Sequence, residues 1–160
     1  MEEYIGTKII QAVPAKRYYF DCDPKVLIVA CDKEEPEEVK QSVGAVEGYK
    51  VRYSDGYESW SPKGVFEEAY RRTDGMNFGL ALEAAKMGKK IARAGWNGKG
   101  MYVFLAEVND MVTDADIGEF EGQDVELSDV LVLKTVQDTF QPGWLASQTD
   151  MLSDDWYIVE

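Results

Sequence analysis

The chain has no histidine, and among its 160 residues only two are cysteine and five are proline. Without histidine it lacks the commonest general base and the usual partner of a serine or cysteine nucleophile near neutral pH. The sequence therefore favours a binding protein over an enzyme, with carboxylate pairs left as the groups available for acid/base work. Cys22 and Cys31 lie in one short stretch, so we expect reduced thiols and neither a zinc site nor a disulfide framework.

Cations and long apolar runs are also scarce. The chain has 17 lysines and arginines against 30 aspartates and glutamates, a net charge of −13. Because nonspecific affinity for nucleic acid comes from many cations that neutralise phosphates, we expect neither DNA nor RNA as a partner. No apolar run approaches the roughly 18 residues of a membrane span, and the acidic start Met1-Glu2-Glu3 does not look like a signal peptide. We expect no membrane partner and a place in a cytoplasm.

The apolar content that is present predicts a folded core. Hydrophobic residues make up 45% of the chain and aromatic residues 12%, which suffices for one domain or two small ones. The pattern breaks at Thr73-Asp74-Gly75, and a new unit begins at Met76. We therefore predict an α+β protein of two compact units, each a small antiparallel sheet packed with a short helix. They are residues 1–72 and 76–160, joined by a linker at 73–75.

The start of the first unit predicts two strands and a connection. Residues 4–13 have the composition of a strand, which Pro14 closes. Residues 26–30 form a second apolar run, and residues 34–47 are expected to be a solvated, acidic connection.

A hairpin and a helix are predicted next. Asp55-Gly56 is a tight-turn dipeptide between two segments of alternating polarity, residues 48–53 and 57–60. Ser61 is a candidate N-cap and Pro62 suits a first helical position, so a helix is expected over residues 62–71. The side chains expected to face inward are Val65, Phe66 and Ala69.

The second unit shows clear start and stop signals. Asn77 is a candidate N-cap for a helix over residues 78–87, with Phe78, Leu82 and Ala85 on one face, and Gly88 suits a left-handed C-terminal position. Ser147 or Thr149 is expected to cap a short helix ending at Asp154. Strands are expected at residues 91–94, 101–108, 130–136 and near 156–159, with a turn at 138–143.

A basic stretch precedes a glycine-rich loop. Residues 86–99 carry five cations and no acid, and residues 95–100 read Gly-Trp-Asn-Gly-Lys-Gly. Glycines let backbone N–H groups approach a ligand closely, Trp96 offers a face on which a base can stack, and Asn97 and Lys99 add donors. Two plainer interpretations stay open: a solubilising helix end for the cations, and a core position for Trp96.

A second polar segment and an acidic stretch complete the candidates. Residues 142–150 combine Trp144 with hydroxyl, amide and carboxylate groups that could contact a base or a sugar. For Ser147, Thr149 or Asp150 taken singly, helix capping is the favoured explanation. Residues 107–129 are strongly acidic and are expected to be a solvated connection. A calcium site at residues 114–118 is not favoured, because the EF-hand ligand spacing is missing.

Three blocks of the second unit resemble a known family. They are residues 76–82, residues 93–101 and residues 143–152, followed by Asp155-Trp156. In this order they are similar to the signature of the second family of phage Thoeris anti-defence proteins. The resemblance covers just over half of the chain, and residues 1–72 resemble small phage domains without a role that can be carried over.

The resemblance implies a sponge for an immune signal. Such a protein binds glycocyclic ADP-ribose made by a TIR enzyme, and in some members cyclic dinucleotides, so that the Thoeris effector is not activated. It implies a homotetramer with pockets at subunit contacts, no cofactor, no chemistry on the ligand, and action in the host bacterial cytoplasm. The ligand-binding residues implied by the match are Phe78, Arg93, Trp96, Asn97, Gly98, Lys99, Trp144, Ser147, Gln148 and Asp150.

Two other functions are consistent with the sequence. A hydrolase of the same nucleotide signal would use Asp150 or Asp154 as its base. A protein-interaction module of the phage would explain the acidic surface and the first unit.

Overall fold

A computed structural model describes residues 7–21, 23–107 and 128–160. The chain divides into two compact units, Met1–Arg71 and Arg72–Glu160. Each unit is built on one antiparallel sheet with short helices, which confirms the predicted α+β fold of two units. Within the described ranges, no helix is long and apolar enough to cross a membrane.

The described residues of the first unit form four strands, one 3-10 helix and one α-helix. The strands and the α-helix are β1 (Gln11–Phe20), β2 (Asp23–Ala30), β3 (Gly44–Arg52), β4 (Glu58–Pro62) and α1 (Lys63–Ala69). The strands lie in the order β2-β1-β3-β4, and every neighbouring pair is antiparallel. The 3-10 helix, Glu37–Gln41, lies in the connection between β2 and β3.

The prediction that Pro14 closes the first strand was wrong. β1 passes through Pro14, which lies opposite Tyr49 of β3. Proline removes one donor from a sheet but keeps its acceptor, and here the Pro14 carbonyl accepts a hydrogen bond from the N–H of Cys31 at 2.8 Å. Residues 4–6 of that predicted strand lie outside the described residues. The predicted connection over 34–47 is also shorter than expected, because β3 begins at Gly44.

The hairpin is confirmed. Gly56 has a φ of 84°, which the turn requires, and the N–H of Tyr53 donates to the carbonyl of Tyr57 at 2.9 Å. The side chain of Asp55 also accepts from the N–H of Tyr57 at 2.9 Å. The local dipeptide signal therefore fixes the register between β3 and β4.

The start and the buried face of α1 differ from the prediction. Ser61 belongs to β4, and Pro62 is the N-cap without a side-chain hydrogen bond. Val65 is exposed, whereas Phe66 and Tyr70 are half-buried. Aromatic stacking sets this rotation of the helix: the ring of Tyr49 lies 4.1 Å from that of Phe66, which lies 4.9 Å from that of Tyr70. Ala69, expected inside, is exposed as well.

The elements of the second unit, outside residues 108–127, are α2 (Phe78–Lys86), β5 (Lys90–Arg93), β6 (Tyr102–Ala106), β7 (Val130–Lys134), β8 (Phe140–Pro142), α3 (Gln148–Met151) and β9 (Trp156–Val159). These five strands lie in the order β8-β7-β6-β5-β9, all antiparallel. The predicted turn at 138–143 proves to contain the short strand β8, and the chain reverses just before it, at Asp138, whose φ is 60°.

The predicted caps of α2 are confirmed. Asn77 accepts a hydrogen bond from the N–H of Leu80 at 2.9 Å, and Gly88 follows the helix with a φ of 78°. The face turned to the core is shifted from the prediction, because Leu82 is only half-buried. Small side chains let the helix approach the sheet closely, and the buried positions are Ala81, Ala84 and Ala85.

The core of the second unit is centred on Trp156, which has no exposed surface. Ile91 of β5 and Val103 of β6 lie opposite each other and are equally inaccessible. Met76 exchanges two backbone hydrogen bonds with Trp156, at 2.8 and 3.1 Å, and the Thr73 carbonyl accepts one from the N–H of Ile158 at 3.0 Å. The segment before α2 is thus tied to the last strand.

Two glycines of the α2 region give a matched test of this fold. Gly88→Ala should destabilise the protein by about 1 kcal/mol, because alanine strains at a positive φ. Gly79→Ala should stabilise it by about 0.5–1 kcal/mol, because Gly79 lies inside the helix and an added Cβ would meet no atom nearer than 3.5 Å. Urea unfolding followed by tryptophan fluorescence measures both. Equal signs for the two changes would contradict the helix end described here.

Candidate functional site

The glycine-rich loop joins β5 to β6 and is closely packed. A Cβ on Gly98 would lie 2.3 Å from Sδ of Met101 and 2.4 Å from Cγ1 of Val136, so glycine is needed for these side chains to pack against the loop. Gly100 has a φ of 76°, a conformation that favours glycine. The glycines therefore serve the packing and the turn of the loop itself.

Three tryptophans bring the two predicted ligand-binding segments together. The ring of Trp96, from the loop, lies 5.4 Å from Trp156. The ring of Trp144, from the segment before α3, lies 6.2 Å from Trp156 and 6.0 Å from Trp96. All three contacts are edge-to-face, an arrangement that aromatic rings prefer. The loop and the segment before α3 thus meet over the core tryptophan.

The carboxylate of Asp150 holds the two segments together. Its Oδ1 accepts hydrogen bonds from Nη1 of Arg93 at 2.9 Å and from Nε1 of Trp96 at 3.0 Å. Its Oδ2 accepts from the backbone N–H of Ser147 at 3.0 Å and from the hydroxyl of Ser147 at 2.7 Å. The Ser147 hydroxyl in turn accepts from the N–H of Asp150, which completes a capping box at the start of α3.

Asp155 extends this cluster to the backbone of the loop. It accepts from Nε of Arg93 at 2.8 Å and from the N–H of Gly95 at 2.7 Å. Gly95 has to be small here, because a Cβ on it would lie 2.8 Å from Oδ2 of Asp155. A single network therefore joins one guanidinium, two carboxylates, one indole N–H and one hydroxyl. We call it the Asp150 cluster, and its members are Arg93, Trp96, Ser147, Asp150 and Asp155.

The electrostatics of the cluster favour its charged form. Burial alone would raise the pKa of the Asp150 carboxyl, but hydrogen bonds from Ser147, Trp96 and Arg93 outweigh burial and lower that pKa from 3.8 to about 2. Hydrogen bonding to Arg93 likewise lowers the pKa of Asp155. The pKa of Arg93 is raised by Asp155 first and by Asp150 second. Both carboxylates are therefore ionised at neutral pH.

The ten predicted site residues fall into two groups, six that are buried or half-buried and four that are exposed. Arg93, Trp96 and Asp150 use their polar groups inside the cluster, and Phe78 is half-buried with its ring 5.3 Å from that of Trp156. Gly98 is held by packing, and Trp144 is half-buried. The predicted residues that present exposed polar side chains at the surface are Asn97, Lys99, Ser147 and Gln148, with the Ser147 hydroxyl already bonded to Asp150.

The basic stretch before the loop does not form a single free cationic patch. Lys86 pairs with Glu83 at 2.7 Å, and the ammonium of Lys90 lies 5.1 Å from the ring centre of Tyr102. Arg93 belongs to the Asp150 cluster. The remaining two of the five cations, Lys89 and Lys99, are exposed and make no ion pair or ring contact with the described residues. Within the described residues, no group of three or more cysteine and acidic side chains is placed to hold a metal ion.

Sequence reasoning missed Asp155 and Trp156 as members of the site. Both follow the third family block, but the sequence pattern assigns no role to them. One signal pointed to the cluster: the basic stretch contains a single arginine among lysines, and arginine is the residue suited to several carboxylate contacts at once. The predictions made for the acidic stretch are not tested, because residues 108–127, including the calcium alternative at 114–118, lie outside the described residues.

Fold and site together define a small α+β domain whose surface loop is fixed by a buried ionic cluster. The model of one protein family, the Thoeris anti-defence 2-like domain (Tad2-like), matches residues 76–159. A curated relative, Thoeris anti-defense 2 of Bacillus phage SP01, is 38% identical over 86 residues, which cover 52% of this chain and 94% of the relative. The chain belongs to the Thoeris anti-defence 2-like family through its second unit. This membership supports a phage anti-defence role against Thoeris.

The Asp150 cluster predicts an acid-dependent loss of stability. Asp150→Asn should lower the free energy of unfolding by about 2 kcal/mol at pH 7, because the pKa of this carboxyl is depressed in the folded protein. A carboxyl whose pKa is depressed on folding stabilises the folded protein at pH values above its unfolded pKa, which is near 4. This contribution disappears as the pH falls towards 2. The curves of both proteins should therefore converge in acid. Urea unfolding across this pH range measures the difference.

Asp154→Asn is the matched control, because Asp154 is an exposed aspartate on the same segment. It should change the unfolding free energy by less than about 0.5 kcal/mol at any pH. A difference for Asp150→Asn that stays constant from neutral pH to pH 2 would contradict the role given to this carboxylate.

Proposed function

We propose that the second unit is a sponge that binds a cyclic nucleotide immune signal and keeps it from the Thoeris effector. Membership of the Thoeris anti-defence 2-like family is the observation that carries this proposal. The meeting of the loop and the segment before α3 over Trp156 supports it, since the two segments predicted to bind ligand share one surface. The proposed ligand is glycocyclic ADP-ribose, with cyclic dinucleotides as further ligands.

The exposed polar residues would make the direct contacts. Lys99 supplies a cation for phosphate, and Asn97 and Gln148 supply amide donors and acceptors for a base or for ribose hydroxyls. Half-buried Trp144 offers aromatic surface for stacking. In this proposal Arg93, Trp96 and Asp150 act mainly as positioning residues, because their hydrogen bonds fix the loop before any ligand arrives. A rigid site loses less entropy on binding.

We also propose that the protein releases its ligand unchanged. A general base needs an oxygen free to take a proton, and its pKa should lie near the working pH. Asp150 meets neither condition, because both of its oxygens accept hydrogen bonds and its pKa is about 2. Asp154 is exposed and keeps the hydrolase alternative open. Recovery of intact signal after heating the complex distinguishes sequestration from cleavage.

Assembly into a homotetramer is part of the proposal. Two leucines in the segment that runs through Trp144 and Asp150 are almost fully exposed, Leu145 at 87% and Leu152 at 82%, with Met151 of α3 at 46%. Large exposed apolar side chains are typical of contact surfaces. We expect subunits to meet here and to complete the binding pocket, in the host bacterial cytoplasm and without contact with DNA, RNA or membrane.

Calorimetry with glycocyclic ADP-ribose tests ligand binding. Lys99→Glu should weaken binding by at least about tenfold, because it replaces a cation facing phosphate with an anion. Lys89→Glu makes the same charge change on an exposed lysine at the opposite end of β5 and should leave affinity within about twofold. Absence of heat with this ligand and with every cyclic dinucleotide tried would sink the proposal. Equal losses in both variants would remove Lys99 from the site.

Light scattering at micromolar concentration tests the assembly. The unaltered protein should have the mass of a tetramer, and Leu145→Glu should reduce that mass because it places a charge in an apolar contact. Val65→Glu, at an exposed valine of the first unit, should leave the mass unchanged. A monomeric unaltered protein would contradict a pocket shared between subunits, and an unchanged mass for Leu145→Glu would place the contact elsewhere.

A further inference from the structure

Among the described residues, one face of the first unit's sheet carries no helix. The opposite face carries Tyr49, which stacks on Phe66 of α1, and also Lys16 and Tyr18, which both bond to Glu35 of the β2–β3 connection. Side chains alternate along a strand, so the neighbouring positions point the other way. We call this second side the open face, with Arg17 of β1 lying opposite Ile28 of β2 and Val46 of β3.

A stack of three side chains is built into the open face. Ala15 and Gly48 lie opposite each other and leave room above the backbone. Trp60 fills this room, because a Cβ on Gly48 would lie 2.8 Å from two atoms of its indole ring. The guanidinium of Arg17 lies 5.3 Å from the ring centre of Trp60 and 5.3 Å from that of Tyr19. Stacking on two rings holds the guanidinium in place.

Two polar atoms of this stack lack hydrogen-bond partners among the described residues. Among the described residues, neither Nε of Arg17 nor Nε1 of Trp60 has a hydrogen-bond acceptor, although both atoms are buried. The other two cations of the open face are satisfied, since Lys50 and Arg52 both pair with Glu58 at 2.8 Å. Buried donors are normally bonded. Arg17 is then the cation of the open face that no acid among the described residues neutralises.

Four aliphatic side chains lie around the stack, and together we call them the apolar ring. Val46 is 43% exposed, and the other three are exposed to a similar extent. Such apolar positions around a cation are typical of a surface that becomes buried on binding. The ring consists of Val13, Val26, Ile28 and Val46.

We propose that the open face docks a protein partner that places an aspartate or glutamate carboxylate on Arg17 and aliphatic side chains on Val46 and Ile28. The charge of the face favours such a partner: three cations and one acid lie here, on a chain whose net charge is −13. A carboxylate accepts charge-assisted hydrogen bonds from the terminal nitrogens of a guanidinium, which is the contact proposed for Arg17. This docking does not rest on ligand binding by the second unit.

Two other occupants fit the face less well. A second copy joined through the same face by a twofold axis would bring one Arg17 towards the other, and like charges repel. Single-stranded nucleic acid needs a cationic groove and free ring faces for its bases, whereas here the rings of Trp60 and Tyr19 already stack on Arg17. A protein surface that pairs an acid with aliphatic residues satisfies both the charge and the apolar ring.

Selection from a displayed library of random peptides on the immobilised full-length protein tests the proposal. Enriched peptides should combine aspartate or glutamate with aliphatic residues, and their dissociation constants are then measured by fluorescence anisotropy. Arg17→Gln should weaken binding by at least about tenfold, and Arg17→Glu should recover affinity for peptides in which the acid is replaced by lysine. Lys33→Glu, an exposed lysine in the β2–β3 connection, is the control and should change little. Circular dichroism checks that each variant is folded.

Any one of four other outcomes would overturn the proposal. Enriched peptides without an acid, or with affinities that Arg17→Gln leaves unchanged, would show that Arg17 is not the contact. No enrichment would mean that the face takes no such peptide. A change in oligomeric mass with Arg17→Glu would assign the face to contacts between copies. Binding of oligo-dT that Arg17→Gln abolishes would assign it to nucleic acid.

Discussion

The second unit depends on the buried carboxylate of Asp150. This one group accepts a hydrogen bond from the backbone N–H of Ser147, the N-cap of α3, binds the indole N–H of Trp96 and pairs with Arg93 of β5. A buried charge is tolerated only when it is paired and hydrogen-bonded, and here each of its oxygens accepts two hydrogen bonds. The arrangement makes the geometry of the loop a property of the core. The shape of the loop is therefore set within the folded unit.

Signals that act between near neighbours in the chain were predictable. The cap at Asn77, the left-handed Gly88 and the turn at Asp55-Gly56 each depend on a few adjacent residues, and all three were confirmed. The wrong predictions depend on distant partners. β1 continues past Pro14 because Cys31 and β3 lie beside it, and Tyr49 sets the rotation of α1.

The candidate site follows the same division. Sequence patterns indicated which segments to compare, and the three tryptophans bring those segments together. The sequence patterns did not show which polar groups are already bonded to other parts of the protein. The partners that occupy Arg93 and Trp96 lie 54 to 62 residues further along the chain, and no spacing rule reaches that far. The sequence left two roles for Trp96, stacking on a ligand or forming part of the core, and its bond to Asp150 gives it a core-facing role.

The Asp150 cluster also has a consequence for the order in which the protein is made. The partners of Arg93 and Gly95 are separated from them by up to 62 residues of chain. During synthesis α2, β5 and the loop leave the ribosome well before Asp150, Asp155 and Trp156 exist to hold them. Until then the loop lacks both its carboxylates and the aromatic ring beneath it. Its final conformation is therefore acquired only after β9 has been translated.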